Sequence, residues 1–180
     1  MRAFIAVDLP ENIKDNLWKV VSGITAGGVT RVKKEAMHIT LVFLGSLNDD
    51  EVAGVKAAMD SIRSSEFEVG IDGVSYFSPK QLRVVFAAVG QGAEKLIDIY
   101  KQLSASLSSN GIDYSGEREY RPHVTLLRVK DQRTAATIRA AMYRNNDIKF
   151  GKFTVRSIAL KESMLTGEGP RYRTLYVLKL

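Results

Sequence analysis

The stretches MHITLVFLG (residues 37–45) and PHVTLLRVK (residues 122–130) share one pattern. They hold both histidines of the chain, His38 and His123, and each is followed by a β-branched residue, a threonine and a leucine. Nine threonines in 180 residues is about one in twenty. Threonine two places after both histidines then arises by chance in about one sequence in four hundred, and internal self-similarity of this kind is the first thing to explain.

Working outward, the two stretches occupy equivalent places in a repeated order. AFIAV (3–7) reads as a short buried strand closed by Asp8-Leu9-Pro10, with Pro10 where a first helical turn tolerates it. Ile13, Leu17, Val20, Val21 and Ile24 recur at helical spacing and predict a helix from Glu11 to about residue 25, ended by Gly27-Gly28. The first motif strand follows, stopped by Gly45. Residues 48–65 predict a second helix with Asn48 as cap and an acidic first turn. FEVGIDGVSYF and LRVVFAAVG predict strands joined across Ser78-Pro79-Lys80.

The order then begins again. A helix at 92–110 ends at Asn110-Gly111, the second motif strand follows, and residues 131–145 predict a helix capped by Asp131. FTVRSIALKESML and YRTLYVLKL predict a closing hairpin around Thr166-Gly167-Glu168-Gly169-Pro170. From Glu11 to His38 the gap is 27 residues, and from Glu94 to His123 it is 29. The expected fold is α+β: two pseudo-symmetric lobes, each an antiparallel sheet with outer helices, and an active-site cleft between them. Residues 1–180 form one bilobal domain built by internal duplication, with parallel pairing left open for some strands.

Composition bounds the partners. No apolar run approaches the ~20 residues of a membrane span. The N-terminal MRAFIAVDLPENIKD turns acidic too soon, at Asp8 and Glu11, for a signal peptide. A cytoplasmic protein, monomeric and without a membrane partner, is the expectation. The absence of cysteine excludes disulfides and thiolate metal sites. A net charge of +6 and a pI near 9.5 favour an anionic partner, nucleic acid foremost, although a basic excess can also serve solubility alone.

Side chains alternate along a strand, so His38 and Thr40 share one face and His123 and Thr125 another. Ile39, Leu41, Val124 and Leu126 point the opposite way and should pack under helices. If a pseudo-twofold axis relates the halves, two imidazoles and two hydroxyls meet across one cleft. An unperturbed histidine titrates near ~6.5, so one can remove a proton while the other delivers one. Hydroxyl donors can hold phosphate oxygens as their charge grows. Phosphodiester hydrolysis needs both, and needs no metal. No H-x-x-x-H or H-x-x-E spacing is present. A single histidine at a strand start is commonly structural; the duplicated pair on a repeated frame favours function.

These residues resemble the paired H-x-T-x signature of the two-histidine phosphoesterase superfamily, and within it the RNA 2′,3′-cyclic phosphodiesterases, also called 2′-5′ RNA ligases. The resemblance spans nearly the whole chain, including MRAFIAVDLP, YFSPKQLRVVFA and YRPHVTLLR. Leu82 stands where the family often has Pro and Phe86 where it often has Trp; both are expected to serve packing without touching the motifs. The resemblance implies a substrate of RNA or a nucleotide with a 2′,3′-cyclic phosphate end, opened to a 2′-phosphate without cofactor or metal. It implies His38 as general acid, His123 as general base, and Thr40 and Thr125 as phosphate ligands.

It further implies that Phe43 and Arg128, each five residues after its histidine, flank the nucleobase. Strict alternation would turn that position to the opposite face, so a strand end or twist is required, and core packing is the alternative for Phe43. Arg118, Tyr120 and Arg121 precede the second motif and could hold RNA phosphates or form a solvated loop. Three competing readings remain. One is a cyclic phosphodiesterase acting on ADP-ribose cyclic phosphate or a 2′-5′ oligonucleotide. Another is a non-catalytic RNA-end-binding module, and the last is a duplication with a purely structural role.

Overall fold

The apolar run after Met1 becomes strand β1 (Arg2–Asp8), in which every residue from Ala3 to Val7 is buried. The computed structural model describes all residues except Pro79, Arg118 and Glu168. Pro10 precedes α1 (Glu11–Gly23), whose inner face is Ile13, Leu17 and Val21. This helix stops at Gly23, short of the expected Gly27-Gly28. Gly28 instead holds a left-handed turn (φ 63°). Its carbonyl accepts from the Lys130 and Asp131 amides, and an added Cβ would lie 2.4 Å from the Asp131 Cβ. That turn leads into β2 (Val29–Arg31), which the sequence pattern does not reveal.

After a 3₁₀ turn at Lys34–Ala36 come β3 (His38–Ser46) and α2 (Asp49–Asp60). Asn48 and Glu51 close a reciprocal capping box that starts α2. Strands β4 (Phe67–Tyr76) and β5 (Val84–Val89) form an antiparallel pair. Helix α3 (Ala93–Ser109) ends at Asn110, followed by left-handed Gly111. Then follow β6 (His123–Val129), a 3₁₀ turn at Gln132–Thr134 capped by Asp131, and α4 (Ala135–Tyr143). The chain closes with β7 (Lys149–Val155), β8 (Ser157–Thr166) and β9 (Gly169–Lys179). Pro79 and Glu168, which the sequence places in turns, lie outside the described residues, but the β4–β5 and β8–β9 pairings expected on either side of those turns are present.

The strands form one curled sheet in the order β7-β4-β5-β6-β3-β1-β8-β9, with β2 added to β6. Every pairing among the described strands is antiparallel, so the parallel crossovers left open by the sequence do not occur. Two lobes result, β3-β1-β8-β9 and β6-β5-β4-β7, joined through the single register pair Ile39↔Val124. The repeats exchange parts. Strand β4 follows α2 yet pairs with β5, and β8 follows α4 yet pairs with β1. Helix α1 packs on β6 and β7, whereas α3 packs on β3. The helix preceding each motif strand therefore covers the lobe of the other motif.

One expected strand divides. The pattern of FTVRSIALKESML predicts one continuous strand, but the chain breaks at Arg156, leaving β7 at one end of the sheet and β8 near the other. No turn residue marks the break because the chain changes partner there without reversing. No helix is long and apolar enough to cross a membrane among the described residues.

Candidate active site

Both motif strands contain the same irregularity at the same offset. Ala6 faces Thr40 and the next residue back, Ile5, faces Val42, so β3 carries one extra residue between them. Phe86 faces Thr125 while Val85 faces Leu127, so β6 carries one extra residue likewise. A bulge of this kind shifts the alternation by one. Leu41 and Val42 are consecutively buried, as are Leu126 and Leu127. Phe43 and Arg128 thereby return to the histidine face. Phe43 is 46% exposed and is not a core residue.

The histidines are oriented from behind. His38 Nδ1 lies 2.8 Å from the Ala36 carbonyl, and His123 Nδ1 lies 2.7 Å from the Arg121 carbonyl. A carbonyl only accepts, so Nδ1 carries the proton and Nε2 is left as the basic nitrogen. His38 Nε2 accepts from the Thr40 hydroxyl at 2.9 Å. Among the described residues Thr125 makes no matching bond to His123.

Rings fix each imidazole further. His38 stacks on Phe4 with centroids 4.8 Å apart and meets the edge of Tyr172 at 5.3 Å. His123 meets Phe77 edge-on at 4.8 Å and Phe86 at 5.2 Å. Phe86, expected to stay clear of the motifs, thus packs against the second one; its register opposite Thr125 puts it there.

Burial holds the His38 imidazole down at about 4, although the bond from Nδ1 to Ala36 opposes the shift. Lys161 pushes in the same direction as burial, and Asp8 opposes it. Asp8 faces His38 across the β1–β3 register and pairs with Lys161 at 2.6 Å. Burial also lowers His123, against the bond to the Arg121 carbonyl.

Two adjoining cavities form the cleft. One, of about 440 Å³, is lined by His123, Thr125, Thr40, Phe43, Phe77 and Arg128 among others. Its neighbour, of about 550 Å³, shares Thr40, Thr125, Phe43 and Arg128 and adds His38 and Tyr172. The six residues marked in the sequence are therefore brought together around one space. Among the described residues no three histidine, aspartate or glutamate side chains cluster as a cation site.

In the segment before the second motif, Tyr120 has a different role from either one expected. Tyr120 is buried, and its hydroxyl donates to the Thr40 carbonyl at 2.8 Å. Burial raises the Tyr120 pKa, keeping the phenol a donor. Its ring stacks on Tyr100 at 4.4 Å, and the Ser115 amide donates to the Phe43 carbonyl. The segment thus ties α3 to both ends of the β3 bulge. Arg121 pairs with Glu119, and Arg118 lies outside the described residues. Phe4, Asp8, Phe77, Lys161 and Tyr172 escape sequence reasoning because only the register across strands brings them to the cleft.

Two lobes meeting at paired H-x-T strands define the class: a two-histidine phosphoesterase fold. The chain matches the family model described as "AKAP7 2'5' RNA ligase-like domain" over residues 11–180 and belongs to that family. It is 31% identical over 175 residues to a protein of Methanocaldococcus jannaschii named RNA 2′,3′-cyclic phosphodiesterase, covering 97% of this chain and 98% of that one. A protein of the same name from Aeropyrum pernix is 37% identical over 150 residues, covering 82% and 84%. Among solved structures, TT0787 of Thermus thermophilus superposes with a TM-score of 0.80 at 27% identity, covering 100% of this chain and 98% of that one. Escherichia coli LigT complexed with 3′-AMP shares the fold at a TM-score of 0.83 and 23% identity, covering 99% and 97%.

Proposed function

We propose that the chain hydrolyses the 2′,3′-cyclic phosphate end of RNA to a 2′-phosphomonoester, without a metal, by paired-histidine acid–base catalysis. The observation that carries this reading is the common orientation of the two imidazoles. Each is held through Nδ1 by an upstream carbonyl, which leaves Nε2 to the cleft that Thr40 and Thr125 line. The names of the relatives agree with it.

Water attacks phosphorus and gives its proton to His123 Nε2. The bond from phosphorus to the 3′ oxygen breaks, and that oxygen takes the proton from His38 Nε2. The Thr40 and Thr125 hydroxyls donate to the non-bridging oxygens as their charge grows. When the 5′-hydroxyl of a second RNA takes the place of water, the same step with the same histidine roles joins the strands by a 2′-5′ bond; cleavage of that bond by the 3′-hydroxyl is the reverse step, in which the histidines exchange roles. Phe43 and Arg128 flank the base. The chain works as one bilobal unit derived by duplication, which the repeated element order and continuous sheet support, and it acts as a monomer in the cytoplasm.

The test is turnover of 2′,3′-cyclic AMP and of an oligonucleotide with a cyclic-phosphate end, with and without EDTA. Activity should survive chelation. His38→Ala and His123→Ala should each lower kcat by ~10²–10⁴, and the double variant by less than the product. Folded variants with full activity would remove the histidines from the chemistry. Loss on chelation, restored by zinc or manganese, would overturn the metal-free mechanism.

A further inference from the structure

The two sides of the cleft differ in charge. The cavity beside His123 is lined by Glu117, Glu119 and Arg121 as well as Phe77. The cavity beside His38 is lined by Arg2, Arg31, Lys33 and Arg128, and among the described residues no carboxylate lines it. Two of these cations are already engaged: Arg31 bonds the carbonyls of Val21 and Ile24, and Arg128 is the candidate base contact. Arg2 and Lys33 have no carboxylate partner among the described residues. A further cavity of about 460 Å³ continues from His38 past Lys33 to the tip of the β8–β9 hairpin at Gly169 and Pro170. It also contains Glu35 and Asp8, the latter paired with Lys161.

A ribose whose cyclic phosphate sits between the histidines must send its 5′ carbon out on one side or the other. On the His123 side it meets carboxylates, which repel a phosphate. On the His38 side it meets unpaired cations. We propose that the Arg2–Lys33 groove binds the phosphate attached to that 5′ carbon, the penultimate phosphate of an RNA strand. This rests on the function proposed above and deepens it: the preferred substrate is an oligonucleotide end over a mononucleotide. Phosphate contacts of this kind position a strand without reading its sequence.

The experiment compares kcat/KM for 2′,3′-cyclic AMP, for the same nucleotide carrying a 5′-phosphate, and for ApA ending in a cyclic phosphate. Wild type should favour both phosphate-bearing substrates over cyclic AMP by about 10-fold, the scale of one exposed charge-assisted contact. That preference should weaken as salt is raised. The Arg2→Ala/Lys33→Ala double variant, with folding checked by circular dichroism, should lose the preference and keep its turnover of cyclic AMP. Lys33→Glu should reverse it.

Equal kcat/KM for all three substrates in wild type would overturn the proposal. So would a preference that survives the double variant and Lys33→Glu. A gain confined to ApA would assign the contact to the second nucleoside and overturn it too. Wild type inactive on every cyclic phosphate would instead sink the function on which the groove proposal rests.

Discussion

Hydrolysis in the proposed sense needs His38 charged and His123 neutral. In the unliganded protein His38 titrates at about 4, and His123 lies below its ordinary value. At pH 7 about one molecule in a thousand then carries the His38 imidazolium. The pH profile of kcat/KM reports the free enzyme, and its two limbs belong to the coupled pair. Both limbs lie below ~6.5, so the maximum lies below that pH, and kcat/KM falls about tenfold per unit beyond the second limb. The profile of kcat sits at higher pH, because a bound phosphodiester anion beside Nε2 favours the imidazolium.

Lys161→Met sharpens the test. It removes the cation that pushes His38 down and leaves the Asp8 charge, which pushes it up, unpaired. At pH values above both limbs kcat/KM should rise, about tenfold for each unit by which the His38 pKa rises. The assay is initial-rate hydrolysis of 2′,3′-cyclic AMP from pH 4.5 to 9 at constant ionic strength, with a solvent isotope effect showing that proton transfer limits the rate. A maximum above pH 7.5, or a kcat/KM above both limbs that Lys161→Met leaves unchanged, would refute the reasoning.

The same shift acts on stability. The unfolded chain takes up a proton at His38 near pH 6.5, while the native state resists to about 4, so this contribution is complete above 6.5 and lost as pH falls to 4. His38→Asn should therefore remove about 3 kcal/mol of the acid-induced loss, read from urea unfolding at pH 7 and pH 4. Thr40→Val and Thr125→Val should each lower kcat by ~10–10³-fold. Of the two, Thr40→Val should also move the pH profile, upward, because Thr40 donates to His38 Nε2 and, among the described residues, Thr125 donates to neither histidine. Tyr120→Phe keeps the stack on Tyr100 and loses the bond to the Thr40 carbonyl. It should cost about 1–2 kcal/mol in thermal unfolding and up to about tenfold in kcat.

The site was legible where function depends on local offsets. H-x-T places its two side chains on one face by alternation alone, and the second occurrence of the motif shows that two such faces exist. Phe43 and Arg128 ran against alternation. The doublets Leu41-Val42 and Leu126-Leu127 are the local trace of the bulges that bring them back, since two adjacent apolar residues on an amphipathic strand mark a phase change. Other features carry no local trace. Strand β2 is three residues, none of them buried, too short for any period. Arg156 ends β7 by a change of partner, which sequence spacing does not record. Phe4, Lys161 and Tyr172 reach His38 through pairings with remote strands, and no window along the chain contains those neighbours together.

The exchange of β4 and β8 between repeats sets a timetable for synthesis. On the ribosome, β1 and β3 emerge early and can pair at once. The other edge of β1 waits for β8, where Ile5 meets Leu160 and Ala6 meets Ala159, almost at the end of translation. Until then an apolar strand with an open row of amides and carbonyls is exposed to other nascent chains. Neither repeat released alone would close its own lobe: a cut between β4 and β5 leaves each motif strand beside β1 or β5 and removes β8 or β4, the strand beyond. Folding ends when the last strands arrive beside the first, and the cleft takes its final form only then.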